Sequence, residues 1–354
     1  MSANEMFDRR KFLSLTGAAV AAPAIMRVTA ANAQEVTLKM HHFLPPVSNA
    51  HAKFLKPWAD KVAAESNNRI KIDIFPSMQL GGTPPQLFDQ ARDGVADLVW
   101  TLPGNTPGRF PGIEAFELPF VANKRAIVNS KALSDYADAN LKDEFKDVKP
   151  ICFWAHDHGL IHSTKKVANL DDLKGIKLRF PTRLAGEALK ALGVNAIGMP
   201  IPQVPEAMAQ RVIDGAVVPW EVVPALKLQE LVKFHAEIPG SPTLYTATFI
   251  LAMNRAKYDS LPADLKTVID KNSGIGASAT AGTVWDEQAK IVSDLVAKRG
   301  NTITVIEEAE AAKWRKATEP VIDGWMKGLK EKNLDGGKLL ESAKALLAKY
   351  EKAA

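Results

Sequence analysis

The sequence predicts an α/β protein built as a two-lobed clamshell, with hinge strands crossing between the lobes. Three observations predict it. Helical and strand patterns alternate along most of the chain, as α/β lobes require. Removing a 33-residue leader from 354 residues leaves 321, a length that suits two lobes. Finally, Arg92-Asp-Gly-Val-Ala-Asp97 is echoed by Ala209-Gln-Arg-Val-Ile-Asp214. Each segment ends a helix and enters a short apolar strand followed by a tryptophan, Trp100 or Trp220. The expected division is 34–156 plus 245–285 for lobe I and 157–244 plus 286–354 for lobe II.

The elements follow in order. Asp8-Arg-Arg-Lys-Phe-Leu13 precedes a modestly apolar run over 12–26, and Ala31-Asn-Ala33 offers small residues for cleavage. This is a secretory signal of the twin-arginine type. An ordinary secretory signal is the alternative, because Asp8 stands where that motif usually has Ser or Thr. The run is shorter than the roughly 20 residues a membrane span needs. A periplasmic product starting near Gln34 is therefore expected.

Residues 36–42 then alternate as a strand, 50–66 as a helix and 69–75 as a second strand. A helix over 84–92 and a buried strand over 96–100 come next, followed by a Pro/Gly-rich loop over 103–111. A strand begins at 150–156, where the second lobe takes over. Ile176, Leu178 and Phe180 alternate with Lys177 and Arg179 as a half-buried strand, which Pro181 ends. Helices are expected over 184–192 and 204–212, a short strand over 216–218, and a returning strand over 244–253. Residues 277–299 have the periodicity of one helix, roughly 35 Å long at about 1.5 Å per residue. A strand over 302–306 and helices over 308–330 and 337–350 complete the chain.

Composition excludes several functions. The formal charge is +5, of which residues 1–33 contribute +2 (four basic and two acidic side chains), leaving a mildly basic chain near +3. No basic run interleaved with aromatics points to nucleic acid. The single cysteine, Cys152, forms no intramolecular disulfide and belongs to no zinc pattern; between Ile151 and Phe153 it reads as buried and inert. Sequence patterns for a serine-hydrolase elbow, a zinc protease, a P-loop or a dinucleotide site are missing, so no enzyme activity and no cofactor are expected.

The most informative segment is Asp171-Asp-Leu-Lys-Gly-Ile-Lys-Leu-Arg-Phe-Pro-Thr-Arg183. It places Arg179 at the carboxyl end of a strand, where open α/β sheets hold ligands. A guanidinium there pairs bidentately with a carboxylate and stays charged. The residues Lys174-Gly-Ile-Lys-Leu-Arg-Phe-Pro181 closely resemble the KGxKxR-x-P signature of the substrate-binding proteins of TRAP transporters (DctP-type extracytoplasmic solute receptors). Pro76-Ser-Met-Gln-Leu-Gly-Gly82, Asp93-Gly-Val-Ala-Asp97, Glu117-Leu-Pro-Phe120 and Met253-Asn-Arg with Leu261-Pro262 fit the same family in the same order.

The resemblance implies a periplasmic-binding-protein fold with a long helix behind both lobes. It further implies a monomeric receptor that hands an organic acid to an ion-gradient-driven TRAP membrane permease. In that family the arginine of the signature binds the ligand carboxylate, which makes Arg179 the expected anchor. Two departures narrow the ligand. The family's polar residue after the second Asp-Gly falls near Val218, followed here by Trp220 and Glu221. The second arginine that some members carry about 20 residues earlier is replaced in a neighbourhood holding Gly159. Both disfavour a polyhydroxylated acid or a dicarboxylate and favour a monocarboxylate, aromatic or a branched 2-oxo or 2-hydroxy acid.

The remaining site candidates are Trp154, Phe180 and Trp220 as an aromatic wall, with core packing as the alternative for each. His156, His158 and His162 fall at period 2 on one expected strand, with Asp157 on the opposite face; His156 and His158 are candidates for ligand hydrogen bonds. No metal site is assigned to them. His42 or His41 ends the first strand. Trp100, Thr101 and Asn105 close the first-lobe candidates, and Arg183 would hold the first turn of its helix. A ligand-sensing subunit of a signalling system, or a periplasmic His-dependent enzyme, are the alternatives to transport.

Overall fold

The computed structural model describes residues 36–353, so the signal-peptide expectation for 1–33 lies outside the described residues. Strands β1 (Val36–His41), β2 (Ile70–Phe75), β3 (Leu98–Thr101) and β4 (Val148–Ala155) lead into β5 (Leu160–Ser163), β6 (Lys177–Phe180), β7 (Asn195–Gly198), β8 (Gly215–Val218) and β9 (Phe234–Glu237). The chain then returns through β10 (Thr248–Asn254) and ends its strands with β11 (Thr302–Val305). They form two sheets, β2-β1-β3-β10-β4 in the first lobe and β11-β9-β5-β8-β6-β7 in the second. The expected two-lobed α/β clamshell is the architecture observed. Among the described residues no helix is long and apolar enough to cross a membrane.

Two extended segments, 156–159 and 238–247, cross between the lobes, and they pair with each other. Gly159 N donates to Tyr245 O at 3.0 Å, and His156 N donates to Ala247 O at 3.3 Å. Thr246 Oγ1 donates to His156 O at 2.8 Å. Backbone pairing of this kind satisfies buried polar groups while leaving few dihedrals to bend, which is how a hinge is built.

The long helix is Gly274–Lys298, 25 residues. Its buried face, Ala277, Ala281, Trp285, Val292 and Val296, recurs at helical spacing against both lobes. Gly282 lets it approach the helix Ala126–Asn140 closely, since a Cβ there would lie 2.7 Å from Ile127 Cα. Asp286 caps that neighbouring helix, accepting from Ala126 N at 2.6 Å and Ile127 N at 3.1 Å.

Several elements differ from expectation. The first helix opens with a π turn over Ala50–Leu55 before the regular turns of Lys56–Glu65, because Pro57 lacks an N–H and cannot close the usual bond. The last helix, Gly336–Lys352, belongs with the first lobe and not the second. It docks on Ala126–Asn140, where Lys349 and Tyr350 both bond Asp135, at 2.8 and 2.6 Å. The histidines at 156, 158 and 162 do not share a strand face. β4 stops at Ala155 and β5 starts at Leu160, so the hinge crossing breaks the period.

Candidate functional site

Arg179 lies in β6, paired through Ile197 to β7 and through Ala216 to β8. Its side chain is 3 % exposed. Nε donates to Met199 O at 2.9 Å and Nη1 to Val217 O at 3.4 Å. Among the described residues no carboxylate lies within ion-pair distance of it. Burial pulls its pKa down to about 10, which leaves the group charged at neutral pH. A charge out of water without a counter-charge is costly, and the two carbonyls use only part of its five-donor fork.

The guanidinium lines a cavity between the lobes. The second lobe supplies Arg179 and, from the end of β8 onward, Val217, Val218, Pro219, Glu221 and Val222. The hinge supplies His156, Tyr245 and Ala247. The first lobe and the long helix supply Phe43, Leu44, Trp100, Phe249 and Trp285. Trp100 and Trp285 both pack on Phe249, with ring centroids 5.8 Å apart in each case. One end of the cavity is therefore cationic and the rest is apolar and aromatic. Arg179 is the only Lys or Arg side chain lining it among the described residues.

Of the sequence candidates, Arg179, Glu221, His156, Trp100 and Asn105 line this cavity. His156 does so without a free nitrogen: Nδ1 donates to Asp157 O at 2.7 Å and Nε2 accepts from Ala247 N at 2.8 Å. Burial pushes it down to about 4, so it is neutral and presents only its ring. Glu221 reaches across to the first lobe, where Oε1 accepts from Ala50 N at 3.1 Å and its carbonyl accepts from Asn49 Nδ2 at 2.9 Å. Burial raises this carboxyl to about 8.

Five candidates fall elsewhere, each for a geometric reason. Phe180 follows Arg179 on a strand and so faces the other way, packed on Gly186 and Gly198. Trp220 turns away from Glu221 and stands against His162 and His235, with both centroid distances 5.1 Å. Trp154 forms the layer behind the wall, stacked on Phe249 at 5.4 Å. His42 is held between Leu44 N and His51 Nδ1, at 3.3 and 2.9 Å. His158 lies behind the hinge, 2.8 Å from Glu237 and 3.2 Å, poorly aligned, from Asp157. Burial opposes its charge, but these two carboxylates prevail and lift it to about 9.

Tyr245, Phe249 and Trp285 were not among the sequence candidates. Tyr245 sits in an irregular crossing, and Trp285 occupies an ordinary core position of a long helix. Tyr245 is fully buried and its hydroxyl has no protein partner. It is close enough to feel the Arg179 charge, although burial outweighs this and raises the phenol pKa.

Around the cavity the lobes meet through further contacts. Arg183, at the start of the helix Arg183–Ala191, forks onto Glu114 of the first lobe, with Nη2–Oε2 2.6 Å and Nε–Oε1 3.2 Å. Gly104 leaves room for Thr182, whose Cγ2 would be 2.4 Å from an added Cβ.

Comparison with known proteins matches residues 40–328 to the family of bacterial extracellular solute-binding proteins, family 7 (DctP). A TRAP solute-binding protein from Rhodoferax ferrireducens, solved with copurified benzoate, is 43% identical with a TM-score of 0.87, covering 90% of this chain and 99% of that one. A marine-metagenome TRAP solute-binding protein specific for aromatic acids, solved with 3-hydroxybenzoate, is 46% identical with a TM-score of 0.88, covering 90% and 99%. The C4-dicarboxylate-binding periplasmic protein of Rhodobacter capsulatus is 23% identical over 90% of this chain and 94% of its own length.

Proposed function

Because this chain belongs to the DctP family of bacterial extracellular solute-binding proteins, we propose that it is a periplasmic TRAP receptor for aromatic monocarboxylates, held by Arg179 and delivered to a membrane permease. The observation that carries this reading is the buried guanidinium of Arg179, which faces the interlobe cavity without a counter-charge. A ligand carboxylate supplies the missing charge in a water-poor space, where the attraction is several times stronger than in bulk water.

The rest of the cavity selects the body of the ligand. Phe43, Trp100, Phe249 and Trp285 give an aromatic wall for a ring, and such faces bury area at little entropic cost. A dicarboxylate would need a second cation. His156 has both nitrogens engaged, and Arg179 is the sole Lys or Arg present in the lining. The two solved relatives named above bind benzoate and 3-hydroxybenzoate, in keeping with this choice.

Mechanism follows from which lobe holds what. The carboxylate docks on the second lobe at Arg179, and the ring meets the wall of the first. Closure then brings Arg183 onto Glu114 and Glu221 onto Ala50. Only a ligand touching both lobes favours the closed form, because a ligand shifts an equilibrium by its differential affinity alone. The closed form is the species the permease would recognise. A thermal-shift screen of refolded residues 34–354 against organic acids tests the reading. A ligand at 100 times its Kd adds about 2.7 kcal/mol. Aromatic monocarboxylates should raise the midpoint; a response confined to sugar acids or dicarboxylates would refute the ligand class.

A further inference from the structure

Three side chains lining the cavity each carry a buried polar atom with no hydrogen-bond partner among the described residues: Trp100 Nε1, Tyr245 Oη and Trp285 Nε1. All three residues are at most 2 % exposed. Buried polar groups are normally paired, so three such groups around one space describe what the space is built to hold. Tyr245 is accounted for by the ligand carboxylate, since it lies within the field of Arg179. The two indoles are not. They belong to the aromatic end, both packed on Phe249, while Arg179 is anchored to carbonyls of the second lobe.

An indole N–H only donates, so the aromatic end asks for an acceptor atom. The Glu221 carboxyl lines the same cavity and spends Oε1 on Ala50 N, which leaves its other oxygen for a ligand. A second carboxylate there would find no cation to balance it, because Arg179 is the one Lys or Arg of the lining among the described residues. An amine would meet two donors, and a methyl group would leave both N–H groups unpaired. A hydroxyl both accepts and donates, so it alone answers the indoles and Glu221 together.

Resting on the aromatic-monocarboxylate reading, we propose that the ligand carries a ring hydroxyl remote from its carboxylate, whose oxygen accepts from the indole N–H groups of Trp100 and Trp285 and which is bonded by the free oxygen of the Glu221 carboxyl. These three residues then set specificity, while Arg179 sets the class of acid.

The test is a ratio of affinities. Benzoate, 3-methylbenzoate and 3- and 4-hydroxybenzoate are titrated calorimetrically into the wild type and into Trp100→Phe, Trp285→Phe and Glu221→Gln. The better hydroxybenzoate should bind about tenfold or more tightly than benzoate, the usual consequence of pairing buried groups otherwise left unpaired. The methyl analogue should gain nothing comparable. In the two Phe variants the hydroxy-to-parent ratio should fall towards one, whatever happens to absolute affinity. Benzoate binding as tightly as both hydroxybenzoates in the wild type needs no variant to fold, and it overturns this proposal alone. A tenfold ratio that survives both Phe substitutions also overturns it. If none of the four acids binds, the proposal falls together with the aromatic-monocarboxylate reading.

Discussion

The ring of Tyr245 lies directly over Gly159, so closely that a Cβ built on the glycine would sit 2.0 Å from Tyr245 Cε1. The bond Gly159 N–Tyr245 O, 3.0 Å, fixes the two hinge strands at this point. Here the glycine leaves the space to a phenol, which brings a hydroxyl and no charge.

Gly159→Ala should force Tyr245 out of place. Overpacking a filled site costs about 1–3 kcal/mol, so the denaturant midpoint should drop without a change in slope. Aromatic acid affinity should fall with it. Unaltered stability would mean that the hinge absorbs the extra methyl.

Tyr245→Phe separates stability from binding. The hydroxyl has no protein partner, so removing it should cost the unliganded protein nothing measurable. Binding should weaken by about 1.5–3 kcal/mol, roughly tenfold or more, through loss of a bond to a charged group. Calorimetry and thermal unfolding on the same sample check both halves.

Arg183 and Glu114 join the lobes outside the cavity, and Glu114 is nearly buried. Arg183→Met would leave that carboxyl without its partner only when the lobes are closed. Affinity should drop about tenfold, or about 1.4 kcal/mol, although Arg183 does not line the cavity. Small-angle scattering should show a more open average shape at subsaturating ligand. Affinity equal to the wild type would remove this pair from closure.

Stability should fall as pH rises from about 6.5 to 9. Burial lifts Glu221 to about 8 and Glu117 and Glu144 to about 7, so the native state keeps protons that unfolded carboxyls lose near 4.5. His158, up to about 9, adds the same sign because its stabilising charge disappears through that pH. Below 6.5 the buried neutral His156, His235 and His42, down to about 4, about 4 and about 3, together with the lowered His162, oppose the carboxyls and flatten the slope. Thermal midpoints across this range should show the decline, and Glu221→Gln should make it shallower. A rise between pH 7 and 9 would contradict the burial of these carboxyls.

How much of this was legible in the sequence depended on how regular each element was. The β6 segment announced itself by period 2, and with it Arg179. The same period argued against Phe180, which has to face away from its neighbour. Trp220 and Glu221 follow Pro219 through a short 3₁₀ turn, where neither strand nor helix spacing assigns a side. The helix Ala126–Asn140 gave no clear apolar stripe because its buried face carries Asn129, Ser130 and Ser134. Two of them hold the start of the hinge: Asn129 Nδ2 donates to His156 O at 2.9 Å and Ser130 Oγ to Ala155 O, at the end of β4, at 3.1 Å. Tyr245 and Trp285 come from a crossing segment and a helix that meet the cavity only in three dimensions, so no local pattern marks them.

The central claim is that a ligand carboxylate neutralises Arg179, and calorimetric titration of wild type and Arg179→Ala with one aromatic monocarboxylate tests it most directly. Removing one partner of a desolvated charge pair costs about 2–5 kcal/mol, so affinity should fall by about 30-fold at least. Arg179→Lys should recover little, because a point charge does not reproduce the fork. Binding that survives Arg179→Ala within about threefold would show that the carboxylate is held elsewhere, and the account of this cavity would be wrong.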